Sequence, residues 1–407
     1  MSHLRDLFQI RDFRYFWAAQ VASDFGDNLT ALSLLILIQR LTGSTVAIAG
    51  LMIAIALPAL VIGVMSGVYV DRFDRRRVMI VSDFLRALIV PLFILVDSAS
   101  LVPIIYVIAF VQASIGTMDN PARSAILPRI VGHESLLAAN SVSQTSRIIF
   151  NLLGTAAAGI LASLSSTLAP AFIVDALTFL LSALLVTRIR TKGKPETETV
   201  GRAWDDLTVG FRVMLGSRPL IGVLVGAGVA MLGLGAVNVL AVPFIIGDLQ
   251  ISEAYFGLIE LAQVLGMIVS GSLVAVIAGR LKAPRLVTFG LVGVGVAIGS
   301  LSLTYEIWQL APILFAVGLF VTPTQAGVTT LTQTLVADSM RGRVGGALNA
   351  LVSAATVLSM GVAGVAAAAI GTRNVFVAAG GVSMLAGLGA WLMFRGTRAE
   401  MARAEAV

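Results

Sequence analysis

The stretch "GVYVDRFDRRRVMI", Gly67–Ile80, sets six charged residues, Asp71, Arg72, Asp74, Arg75, Arg76 and Arg77, between two long apolar runs. The chain around it is 57% hydrophobic and 12% charged, with a mean hydropathy of +0.95. An ordinary soluble protein is roughly 25% charged. A water-soluble fold has nowhere to hide so much apolar surface, and forty glycines suit membrane-spanning helices better than soluble ones. The composition is that of an integral membrane protein.

Several chemistries are excluded at once. With no cysteine there is no disulfide, thiolate or cysteine-based metal site. The two histidines, His3 and His133, fall near polar ends or loops. No cofactor and no metal is expected. The net charge of +6 is spread over short loops, which fits membrane orientation and not nucleic acid. The start, "MSHLRDLFQIRDFRYF", keeps its charges to Arg14 and lacks signal-peptide design.

A helix crosses the hydrocarbon in about 20 apolar residues. That ruler gives twelve candidates: 15–39, 46–70, 78–96, 101–120, 140–163, 168–187, 219–246, 254–278, 285–303, 307–330, 343–369 and 373–394. The runs are too long for barrel strands and do not alternate. All 28 lysines and arginines except Arg40, Arg86 and Arg373 fall at the ends of spans on one side. The positive-inside rule then puts both termini and the quoted cluster in the cytoplasm.

The longest polar stretch, which contains "RIRTKGKPETETVGRAWDDL", divides the spans six and six. The expected organisation is a six-helix bundle over 1–187, a cytoplasmic linker over 188–218 and a second bundle over 219–407. The halves echo each other. "NPARSAILPRIVGHESLLAANSVSQTSRI" follows the fourth span and "TPTQAGVTTLTQTLVADSMRGRVGGALNA" the tenth, each with a proline, a helical stretch, an acid and arginines. A duplicated bundle permits rocking about a site between its halves.

These residues resemble the major facilitator superfamily. "GVYVDRFDRRRVMI" is similar to the signature between its second and third helices, with Asp74 in place of the usual second glycine. "SDFGD", "SDFLRA", "NPARSAILPRIV", "FIVDALTFLLSALLV" and "RGRVGGALNA" resemble the branch of drug and siderophore exporters that includes macrolide efflux proteins and the enterobactin exporter. The implied fold is all-α, twelve transmembrane helices in two pseudo-symmetric bundles. From the residues alone, four arginines anchor a cytoplasmic turn, while Asp71 can pair with Arg75 and accept hydrogen bonds from a helix N-terminus. The resemblance implies more: Gly67, Asp71, Arg72 and Arg75 form a cytoplasmic gate, with Asp71 and Arg75 meeting Asp119 and the start of the eleventh helix near Gly342. A plain topology anchor is the alternative.

Ionisable groups at mid-membrane cost roughly 2.5–3.5 kcal/mol on insertion scales, so each needs a reason. Asp24 and Asp27 lie three apart on the first span, with Asn28 continuing their face. Carboxylates that close repel one another, which suits groups that take up and release a proton. Asp27 is the better single candidate; a structural acceptor for a neighbouring helix is the alternative. Glu260, with Gln263 near its face, is the one carboxylate well inside a span of the second half, for cationic substrate, proton or interhelical bonding. In the resembling family the third and sixth helices are scaffold. Asp83 and Arg86 on the third span and Asp175 on the sixth therefore read as buried ion pairs, with Arg86 and Asp175 the expected partners. Arg147, one turn from Asn151, is expected to pair with Asp119 or to meet an anionic substrate.

The expected function is proton-coupled export of small amphipathic or lipophilic molecules across a bacterial cytoplasmic membrane, by a chain that works as a monomer. Its partners are the small-molecule substrate, protons and lipid. An uncoupled facilitator or importer, and a lysolipid or siderophore transporter, remain open. No Walker motif is present to fuel transport by ATP. An intramembrane enzyme lacks a nucleophile–base pair or metal cluster, and a non-transporting membrane protein has no use for a duplicated bundle.

Overall fold

A computed structural model of the chain describes residues 2–63, 72–193, 203–277 and 282–396. Among the described residues everything regular is helical. The helices are α1 Ser2–Gln9, α2 Arg11–Thr42, α3 Thr45–Val61, α4 Arg75–Ile89, α5 Val102–Leu164, α6 Ala169–Thr187, α7 Ala203–Leu215, α8 Arg218–Val242, α9 Phe256–Ile277, α10 Ala283–Ser300, α11 Ile307–Leu335, α12 Arg341–Ile370 and α13 Thr372–Gly396. With backbone groups satisfied inside each helix, such segments are stable in hydrocarbon.

Among the described residues ten helical segments are long and apolar enough to cross a membrane, and α3 is a shorter apolar helix. One of the ten, Ala99–Leu164, is 66 residues long, which would reach about 100 Å if straight. It is not straight. Gly132 interrupts α5 with φ 72° and ψ 170°, a conformation open to glycine and costly for a residue with a Cβ. Each arm is then long enough to span the bilayer once, as the sequence assigns to its fourth and fifth spans.

The departure at Asp74 has a local cause. Asp74 is the N-cap of α4, in extended conformation, and its carboxylate accepts from the backbone N–H groups of Arg76 at 3.0 Å and Arg77 at 3.4 Å. A side-chain acceptor there satisfies donors that the first helical turn leaves open. The cap proposed for Asp71 therefore belongs, among the described residues, to Asp74; Gly67 and Asp71 lie outside them. Arg76 fastens the same corner to the end of α6 by donating to the carbonyls of Val186 and Thr187.

By internal contacts the chain forms two compact units. The first comprises 1–43, 54–200 and 252–257; the second comprises 44–53, 201–251 and 258–407. In the first unit α2 packs on both α5 and α6, and α4 fills in against the same two helices. Phe13, Phe16, Met79, Ile126, Leu127 and Val186 form an apolar cluster there. Residues 252–257 join this unit through Arg40, which bonds Glu253 at 3.1 Å and donates to the Ala162 carbonyl at 2.6 Å.

In the second unit α10 packs on α11 and α13, and α8 on α12 and α13. The segment expected as a cytoplasmic linker contains α7, whose Asp206 pairs with Arg343 at 2.7 Å and whose Met214 is fully buried with Leu220, Val344 and Ala347. Where α10 crosses α13, Gly295 and Gly380 let the backbones touch. A Cβ on Gly380 would stand 2.5 Å from the Gly295 carbonyl and 2.7 Å from the Gly299 nitrogen. Close backbone approach at small residues is how helices associate when lipid competes equally for apolar side chains. Its neighbour Gly381 faces open space. Gly380→Ala should lower the melting temperature of the detergent-solubilised protein, by the equivalent of about 1–3 kcal/mol. Gly381→Ala should leave it unchanged or raise it, because alanine is the better helix former.

Candidate functional site

The interior of the first unit carries the charges. Asp24 and Asp27 come from α2, Asp83 and Arg86 from α4, Asp119, Arg123 and Arg147 from the two arms of α5, and Asp175 from α6. Arg86 forms an ion pair with Asp27 and lies over the Phe179 ring at 4.0 Å. Arg123 pairs with Asp119 one turn earlier at 2.5 Å, and its other side reaches Asp24 at 3.5 Å. Arg147 approaches the second oxygen of Asp24 at 3.8 Å.

Neutral groups complete the set. The Gln20 amide donates to Asp24 at 3.5 Å. Asn28 donates to the Asp24 carbonyl at 2.9 Å and to the Asn151 side chain at 2.7 Å, tying α2 to α5. Ser182 donates to Asp83 at 2.6 Å. Thr30 donates to Asp175 at 2.5 Å, and Thr178 donates to its other oxygen at 3.2 Å. The approach of Asp175 to α2 requires Gly26, since a Cβ there would collide with the Asp175 carboxylate and the Thr178 hydroxyl. Asp83 and Asp175 are completely buried, whereas the Asp27 side chain is 36% exposed.

Several expected partners are exchanged. Arg86 meets Asp27 where Asp175 was expected, because Asp175 is turned to Thr30 and Thr178. Arg147 meets Asp24 where Asp119 was expected, since Asp119 is taken by Arg123. Arg75 is buried, and its N–H donates to the Gly193 carbonyl at 3.1 Å; Arg72 is exposed. Gly342 stands in the exposed first turn of α12. Glu260 and Gln263 are half-buried on α9, in the second unit.

Arg123, Thr30 and Ser182 are among the participants that the sequence does not single out. Arg123 was counted among loop arginines, yet it is 6% exposed. Its signal was present in the four-residue spacing from Asp119, which places both on one helix face. The two hydroxyls carry no such mark: serine and threonine are common in apolar spans, and pairing across helices is invisible along the chain.

Ionisable groups buried inside a multi-pass helical unit are the pattern of a substrate, ion or proton pathway. The chain belongs to the transmembrane secretion effector family of major facilitator transporters, whose model matches residues 6–406. It is 28% identical over 392 residues to the uncharacterized MFS-type transporter YfiS of Bacillus subtilis, covering 91% of this chain and 90% of that one. It is 24% identical over 382 residues to macrolide efflux protein A of Streptococcus pyogenes, covering 90% and 92%. Over 346 residues it is 26% identical to the enterobactin exporter EntS of Salmonella choleraesuis, covering 82% and 80%. The nucleoside transporter NupG has the same fold, with a TM-score of 0.77 at 10% identity over 95% of this chain and 99% of that one.

Breaking the Arg86–Asp27 pair from the carboxylate side leaves a guanidinium, 7% exposed, without its partner. Asp27→Asn should therefore destabilise the protein by on the order of 3 kcal/mol. Adding Arg86→Met should recover most of that loss, because an apolar chain of similar length removes the stranded charge. Thermal melts of the two single variants and the double variant in detergent provide the check.

Proposed function

We propose that the chain is a proton-coupled secondary exporter. It takes small amphipathic or lipophilic molecules from the cytoplasm or the inner leaflet and moves them outward by alternating access, in exchange for protons. Both termini face the cytoplasm of a bacterial cell, and the monomer is the working unit. The efflux relatives support the direction and the breadth of substrate.

One observation carries the proton coupling. Asp27, 36% exposed, is the most accessible of the five carboxylates, and it faces Arg86, which is 7% exposed. A proton arriving at Asp27 neutralises the carboxylate and releases Arg86, so occupancy by a proton and engagement of the arginine are alternatives. That exclusivity is the elementary requirement of a carrier that exchanges one cation for another cargo. Asp24, held between Arg123 and Arg147, serves the same logic one turn away. Asn28 fixes the α2–α5 contact on which that geometry depends. In the second unit Glu260 and Gln263 are the corresponding polar positions for substrate.

Efflux into inverted membrane vesicles tests this directly, using a panel of fluorescent lipophilic dyes. The wild type should accumulate dye when the lumen is acid and lose that accumulation on addition of a protonophore. Asp27→Asn should abolish gradient-driven accumulation while keeping dye counterflow. Equal accumulation with and without the gradient identifies an uncoupled facilitator, and gradient-driven accumulation by Asp27→Asn removes Asp27 from the proton path.

A further inference from the structure

The interior of the first unit is not balanced. Among the described residues the connected cluster holds five carboxyl groups, Asp24, Asp27, Asp83, Asp119 and Asp175, and three guanidiniums, Arg86, Arg123 and Arg147; Arg75, buried at the start of α4, is not among the charges facing Asp83 or Asp175. The arginines are fixed cations, because a guanidinium does not deprotonate in proteins. Their ion pairs account for Asp27, Asp119 and Asp24. Asp83 and Asp175 are left without a guanidinium within 4.0 Å among the described residues, and these two are also completely buried. An ionised carboxylate in that position has neither water nor a counter-charge, the most expensive arrangement a buried acid can adopt.

Their surroundings suit a neutral acid. Asp175 meets only the hydroxyls of Thr30 and Thr178. The charged groups facing it are Asp27 from α2 and Arg86 from α4, already joined to each other. α5 touches α6 only slightly, and the short turn over 90–95, which also packs on α6, carries no charge. Asp83 accepts from Ser182 of α6 through one oxygen, while its other oxygen is buried without a partner. Facing it are Asp119 and Arg123 from α5, already paired, and Arg86 of its own helix; the one acid of α6, Asp175, lies seven residues before Ser182. An unpartnered oxygen is tolerable on the carbonyl of an acid and costly on a carboxylate.

We propose that Asp83 and Asp175 are proton-binding sites, each held as a neutral carboxylic acid in this arrangement, so that the first unit stores two protons behind the exchangeable position at Asp27. The role of those protons in transport rests on the function proposed above; their presence does not. The chemistry is a plain acid–base equilibrium: each proton comes from water, occupies a carboxyl oxygen, and returns to water when the surroundings of the acid open.

Infrared spectroscopy of the full chain in liposomes reads this, because the carbonyl stretch of a carboxylic acid is separate from the carboxylate bands and shifts in heavy water. The wild type should show this acid band at neutral pH. Asp83→Asn and Asp175→Asn should each remove about half of it, and the double variant all of it, whereas Asp27→Asn should leave it in place. Asparagine has the shape of the protonated acid, so Asp83→Asn and Asp175→Asn should melt at or above the wild-type temperature, in contrast to Asp27→Asn. Absence of the band in the wild type overturns the proposal without any variant, as does a band that survives the double substitution or a lowered melting point in either single variant. If the band behaves as stated and vesicle efflux ignores the pH gradient, the two proton sites stand and the coupled-exporter reading falls.

Discussion

Arg86 cannot give up its proton, and it is 7% exposed in the last turn of α4, so the molecule is obliged to supply an anion within reach. That anion is Asp27. The obligation orders much of the first unit: α2 must present Asp27 toward Arg86, Gly26 must be bare so that α6 can bring Asp175 against α2, and Phe179 of α6 offers its ring face to the guanidinium. Apolar packing alone would hold such helices in many registers, because lipid tails serve as well as leucine. A buried cation with one acceptable partner selects among them.

The same constraint explains what could be read from the chain in advance. Span number, helical class and family followed from composition and from "GVYVDRFDRRRVMI", because the length of an apolar run and the side on which arginine falls are one-dimensional properties. The existence of charged positions in spans was equally visible. Partner choice was not. The expected Arg86–Asp175 pair rests on two charges carried by scaffold spans, but position along a span gives only depth in the membrane; the partner depends on how each helix is turned, and Asp175 is turned to Thr30 and Thr178. Asp119–Arg123 shows the reverse situation, where a spacing of four residues carries the partner in the sequence itself. Asp74 stood out as a departure from a signature, and its purpose became legible only as a helix cap.

Glycine does two jobs here that composition cannot separate. Gly132 is needed for its backbone angle, turning one apolar run into two spans. Gly380 is needed because it lacks a side chain at the point where α13 meets α10. Gly381, beside it, meets nothing. Forty glycines in the sequence therefore do not form one class, and the distinction lies in what surrounds each one and not in its identity.

The imbalance of five acids to three arginines bears on how a transporter of this design handles cargo. With every acid ionised, the interior of the first unit would carry two unmatched negative charges and would attract cations strongly enough to hold them. With two protons bound it is neutral overall, and its remaining charges are spent on one another. A neutral interior can close in hydrocarbon without trapping cargo of either sign, and taking up a proton at its half-exposed edge would disturb a single ion pair while the buried acids stay matched to their hydroxyls. On the proposed reading, two protons held on the buried acids would balance the cluster at rest, and the half-exposed Asp27 would be the position left to exchange.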